Sequence, residues 1–132
     1  MSVRIVQLGS SRTPDEGLRL GTVRRPPRGV PKAEFATRDF YDVWVPMLAP
    51  SVELMKTAQQ AVADGDERAW QVFARRFRSA MSEPDASHLL DLLAALSHRT
   101  NFSLGCYCDD EVRCHRSELR GLLRDRGADI AG

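Results

Sequence analysis

At 132 residues, with 42% hydrophobic and 28% charged residues and a formal net charge of +1, the chain has the make-up of one ordinary globular domain, which excludes wholesale disorder and disfavours a dedicated nucleic-acid binder. No run approaches the roughly 18 apolar residues that span a bilayer, so no membrane role is expected. Three cysteines are an odd number and two of them stand one residue apart, a pattern that fits reduced thiols in the cytoplasm better than a secreted disulfide framework.

Val3 to Leu8 is short and rich in β-branched residues, and the turn-forming segment after it stops a strand cleanly. Leu18 to Val23 alternates apolar and polar positions and predicts a second strand, ended by the doubled proline of Arg24 to Pro31. Nine residues, Gly9 to Gly17, separate the two, short for a parallel crossover and comfortable for an antiparallel one.

Phe40, Val43, Trp44, Met47 and Leu48 recur at helical spacing and predict a short first helix, limited by Pro46. A second helix is expected from Ser51, a suitable N-cap, to Gly65, and a third from Asp66 to Met81 with Trp70, Phe73, Phe77 and Met81 inward. The arginines of that segment read as a solvated face. A fourth helix follows Pro84, with Leu89, Leu90, Leu93 and Leu96 as its apolar stripe and with His88 and His98 as surface or capping residues. Asn101 to Cys108 reads as a strand, and Cys114 to Gly127 as a closing helix. The expectation is therefore an α/β domain over residues 1–132, with a small sheet of about three strands packed with about five helices.

All three thiols fall in Cys106 to Cys114, followed by His115 and Arg116. In extended chain Cys106 and Cys108 share a face. Cys114 falls where the last helix begins, a position whose free N–H groups favour an anion or a thiolate. Two chemistries fit. Cys106, Cys108, Cys114 and His115 form a soft ligand set for zinc or iron, although metal-binding cysteine pairs usually stand two to four residues apart. Alternatively Cys114 is a nucleophile, with His115 and Arg116 as its catalytic companions, against which the carboxylates of Asp109, Asp110 and Glu111 would work. Cys114 to Arg120 also matches the Cys-x5-Arg phosphate cradle, but the stretch between lacks glycine and reads as helix.

In open α/β sheets ligands bind beyond the carboxyl ends of the strands, where this loop falls. Ser10, Ser11 and Arg12 after strand one, and Arg24, Arg25 and Arg28 after strand two, are further candidate groups for a small anionic ligand or nucleotide. The competing reading is a non-catalytic interaction module, in which the helices between Asp39 and Arg99 present a partner surface and the cysteine loop is architectural. Oligomeric state has no sequence signal.

The stretches "RRPPRGV" (Arg24 to Val30), "WVPMLAPSVEL" (Trp44 to Leu54), "AWQVFARRFRSAM" (Ala69 to Met81) and "LGCYCDDEVRCHRSELRGLL" (Leu104 to Leu123) together resemble the YeaO-like family of small bacterial proteins, the domain of unknown function 488. The resemblance spans nearly the whole chain and implies an α/β fold. It also implies parallel first and second strands, because longer relatives place a helix between them. Where family members often read Asp-Arg-Leu-Trp-Pro-Arg-Gly, this chain has Val23 to Gly29, without the acidic residue and the tryptophan.

Overall fold

The computed structural model describes residues 1–132. Its five strands are all parallel: β1 (Val3–Gln7) and β2 (Leu18–Gly21) flank β4 (Phe102–Cys106), β3 (Val43–Trp44) lies outside β2, and β5 (Ile130–Ala131) lies outside β1. Four α-helices complete the fold, α1 (Val52–Asp64), α2 (Glu67–Met81), α3 (Pro84–Leu96) and α4 (His115–Asp125). The class is α/β as expected, with two more strands and one fewer helix. No helix is long and apolar enough to cross a membrane.

The expected helix at Phe40 to Leu48 is instead β3 followed by a 3-10 turn at Pro46–Leu48. Asp39 has a φ of 63°, a left-handed value that breaks any helix there, and the β-branched Val43 pairs with Leu20 of β2. Proline then starts the turn, where its missing N–H costs nothing. No inward apolar stripe forms either: Leu48 is buried and Phe40 half-buried, but Val43, Trp44 and Met47 are exposed. β5 is only two residues long, too short for a periodic signal, and is held by pairing with Val3 and Arg4.

The remaining helices form for the reasons their sequences give. Ser51 caps α1 by accepting from the Leu54 N–H, and Gly65 ends it in the left-handed conformation. Asp66 caps α2 through the Ala69 N–H. Trp70, Phe73, Phe77 and Met81 of α2 then join Leu90 and Leu93 of α3, Leu119 and Leu123 of α4, and Phe102 and Leu104 of the central strand in the main core. Phe102 and Leu104 alternate with Ser103 and Gly105, so the helices cover one sheet face and loops the other.

β1 and β2 are parallel, although only ten residues, Leu8 to Gly17, join them. The connection has to return along a strand of about 17 Å and step across β4, a span of about 20 Å that ten extended residues cover without a helix. It lies on the second sheet face, where two glycines let the chain approach. A side chain at Gly17 (φ 78°) would stand 1.9 Å from the Asn101 carbonyl oxygen, and one at Gly105 would stand 2.6 Å from Leu8.

Arg19, whose alternation in β2 marks it as outward-facing, is fully buried there. Its Nε and Nη2 donate to the Glu16 carboxylate at 2.7 and 2.9 Å, and its Nη1 donates to the carbonyls of Ser10 and Asp39 at 2.8 and 2.7 Å. Ser103 Oγ donates to the same carboxylate at 2.7 Å. Two loops are thus tied to the central strand by one desolvated ion pair. Burial alone would raise the pKa of Glu16, but the bonds from Arg19 and Ser103 outweigh it and hold the carboxyl below its usual range.

A depressed folded-state pKa gives stability that is present above the unfolded value of about 4.3 and lost as pH falls through the folded one. Glu16→Gln leaves Arg19 buried without its counter-charge, and urea denaturation at neutral pH should show a loss of about 3–5 kcal/mol. Below that acid window the difference between variant and parent should shrink. A loss under 1 kcal/mol at neutral pH would contradict this account.

Candidate metal and thiol centre

Because every strand points the same way, the chain leaves β1, β2 and β4 at one edge of the sheet, and that edge carries the cysteines. Leu8, Val23, Tyr41, Cys106 and Cys114 form a second apolar cluster over it. Cys106 ends β4 at 1% exposure, and Cys114, at 2%, is the N-cap of α4 without a side-chain capping bond. His115, the first residue of α4, is 3% exposed and meets the Phe77 ring edge-on at 5.6 Å between centroids. Cys106, Cys114 and His115 each offer a ligand atom, and the three atoms lie within 4.8 Å of one another.

His115 Nε2 stands 2.7 Å from the carbonyl oxygen of Thr22, just beyond β2. A carbonyl only accepts, so Nε2 carries the proton. Burial lowers the pKa of the ring and outweighs the Thr22 bond, leaving a neutral imidazole. Its Nδ1 lone pair therefore faces Cys114 Sγ, 3.7 Å away. Thr22 is itself locked to β4, its N–H and hydroxyl both donating to the Gly105 carbonyl at 2.9 Å.

Cys108 is exposed and lies beyond the strand, outside the compact trio. Bonds from Cys106 and Cys114 lower its pKa, and the same contacts together with burial raise that of Cys106. For Cys114 the bond from Cys106 favours ionisation, but the bond to Cys108 and burial outweigh it and the pKa rises. These directions favour ionisation of Cys108 over that of the two buried thiols. Arg116, 3% exposed, stands beside the cluster: Nη2 donates to the Cys108 carbonyl at 2.6 Å and Nε has no partner at all. The guanidinium lacks any carboxylate bond and adds to the positive end of α4, a field that favours anionic sulfur.

The three carboxylates of the loop turn elsewhere. Asp109 accepts from Gln7 Nε2 at 2.7 Å, Asp110 from the Val112 N–H at 3.0 Å, and Glu111 is gripped by Arg120 at 2.6 and 2.9 Å. That last pair also removes the Cys-x5-Arg cradle, since Arg120 is engaged and the residues before it are helical. Arg113 pairs with Glu67 and lies over the Trp70 ring.

The site opens into a cleft of about 930 Å³ whose lining includes Cys106, Cys108 and His115. Of the candidate anion-binding groups, Arg24 and Arg28 line this cleft, with Arg25. Ser10, Ser11 and Arg12 do not. Ser10 Oγ donates back to the Gln7 carbonyl, and Arg12 is spent on Asp39 and Asp42 at 3.3 and 2.7 Å. Sequence reasoning missed Thr22, Tyr107 and Lys56. The first sits at the exit of β2, where the carboxyl-edge rule points, and the second between two cysteines that drew the attention. Lys56 had no signal.

Exposure alone ranks the thiols. In native, metal-free protein a bulky thiol reagent should modify one cysteine quickly and three after unfolding in urea, and Cys108→Ser should remove the fast phase. Fast modification of all three in the native state would contradict the burial described.

The chain matches the family DUF488-N3a, described as the active DUF488-N3 subclade, over residues 3–127. None of the curated proteins and none of the solved structures matches it. A match over nearly the whole length, joined to the α/β fold and the cysteine loop at its carboxyl edge, makes the chain a member of the DUF488 (YeaO-like) family.

Proposed function

We propose that this protein is a metal-binding protein whose centre holds one thiophilic ion, zinc or iron, on Cys106, Cys114 and His115, with the fourth position open toward the cleft. The observation that carries the reading is the convergence of two sulfurs and a ring nitrogen within 4.8 Å. Tetrahedral zinc with bonds of about 2.3 Å to sulfur and about 2.0 Å to nitrogen sets its ligand atoms about 3.5 Å apart. Cys114 Sγ and His115 Nδ1 at 3.7 Å already approach that spacing.

The surroundings support it further. A metal-bound histidine donates its other N–H to a carbonyl, as His115 does to Thr22. Arg116, whose Nε has no partner, supplies positive charge beside thiolates. The description of the matched family as an active subclade is in keeping with an intact chemical centre. A second reading, in which no ion binds and Cys108 is a nucleophile, draws on the exposure of that thiol and its lowered pKa.

Elemental analysis of untagged protein reconstituted with zinc or with iron(II) under argon should find one ion per chain. Cys114→Ser and His115→Ala should each lower the affinity at least about tenfold, and Cys108→Ser should retain the ion. Because Cys106 and Cys114 are thiols at neutral pH, binding should release protons and weaken as pH falls. Absence of stoichiometric metal with pH-independent alkylation of Cys108 would favour the nucleophile. Loss of the ion in Cys108→Ser would make the centre closed rather than open.

A further inference from the structure

From the cleft above the cysteine cluster we infer that the protein binds an organic phosphate of nucleotide size, its phosphates on Arg24, Arg25, Arg28 and Lys56 and its planar body against Tyr107 and Phe40. The inference deepens the metal-centre reading, on which it rests for the identity of the site, by naming the ligand class. Its first support is charge. Four cations line the cleft and no carboxylate does, although acidic and basic residues are nearly equal in the whole chain, eighteen against nineteen. None of the four forms a salt bridge, so no carboxylate of the chain answers their charge. A concave surface of one sign focuses its field on the space it encloses, and a singly charged carboxylate would leave most of that charge unanswered.

The second support is preorganisation. Arg24 Nε and Nη2 rest on the carbonyls of Pro50 and Ala49 at 3.2 Å, which holds the guanidinium in place and leaves Nη1 free for a ligand. Tyr107 Oη donates to the Arg25 carbonyl at 2.9 Å, which ties the ring next to the cysteines to the arginine loop. A guanidinium held in this way meets a phosphate oxygen with little loss of side-chain freedom.

The third support is size and wall chemistry. A space of about 930 Å³ is at the upper end of ligand pockets and far larger than inorganic phosphate needs. Besides its cations the cleft has Gln59 and His115 and an apolar wall that includes Val23, Pro27, Val52 and Met55. Phe40 and Tyr107 stand edge to face at 6.4 Å between centroids, with Tyr107 still 37% exposed, which offers a ring surface for stacking. A ligand that carries both phosphate and a flat apolar body answers both the cations and the rings of the lining.

Calorimetric titration with adenosine diphosphate tests this, run on zinc-reconstituted protein and on protein stripped with a chelator. Adenosine diphosphate should bind, and adenosine and inorganic phosphate should each bind at least about tenfold more weakly. Arg25→Glu with Arg28→Glu, both exposed and checked for folding by circular dichroism, should weaken the nucleotide at least about tenfold. Tyr107→Ala should weaken the nucleotide by a larger factor than it weakens inorganic phosphate, and an equal effect on both would remove the stacking role. No binding by adenosine diphosphate or by the other nucleoside mono- and diphosphates, or equal binding by the charge-reversed variant, overturns the inference. Tighter binding by a short single-stranded oligonucleotide than by the mononucleotide also overturns it, in favour of nucleic acid. The two readings fail separately: bound zinc without nucleotide binding removes only the ligand assignment, and nucleotide binding by a chain that takes up no metal removes only the metal centre.

Discussion

One hydrogen bond, from His115 Nε2 to the Thr22 carbonyl, decides what the cysteine loop is able to do. It joins the end of β2 to the start of α4, two points 93 residues apart in sequence and brought together only by the parallel sheet. By using the Nε2 proton it turns the lone pair of Nδ1 toward the thiols. The opposite tautomer would point an N–H at Cys114 and reversal of the ring a C–H, and either leaves no base or ligand there. The apolar packing around the ring, Phe77 above all, makes reversal costly and keeps the imidazole neutral.

The second sheet face serves the same end from a distance. Arg19 and Glu16 lock the loop after β1 and the loop before β3 against β4, so that this connection needs no helix of its own. Both the cysteine cluster and the arginine-lined cleft then lie along the carboxyl edge, one on the central strand and the other on the segment leaving β2. Positive charge accumulates there from three sources: Arg116 behind the thiols, the start of α4, and the Arg24 to Arg28 loop in front. The proposed metal thiolates and the proposed phosphate ligand would both draw on that field.

Local rules read much of this from sequence. Helix caps at Ser51 and Gly65, the aromatic stripe of α2, and the placing of Cys106 at a strand end and Cys114 at a helix start each depend on residues within one or two turns. What stayed hidden depends on partners far away. Val43 and Trp44 form a strand because β2 is beside them, and Arg19 is buried because Glu16, Ser103 and the Asp39 carbonyl answer its charge. Loop direction was equally opaque. Nothing in "GSSRTP" shows that Arg12 turns to Asp39 and Asp42, or in "RRPPRG" that its arginines face the thiols. The length of the first connection suggested antiparallel strands, and the family resemblance, which implied parallel ones, was the better guide.

Nitrogen-15 correlation spectra of the His115 ring reach the central claim most directly. The account predicts a protonated Nε2, slow to exchange with solvent, beside an unprotonated Nδ1 across the neutral pH range, and predicts that one equivalent of zinc shifts Nδ1 while Nε2 keeps its proton. A ring protonated at Nδ1, or a cationic ring at neutral pH, would contradict it, because the lone pair would then be unable to serve the thiols or a metal.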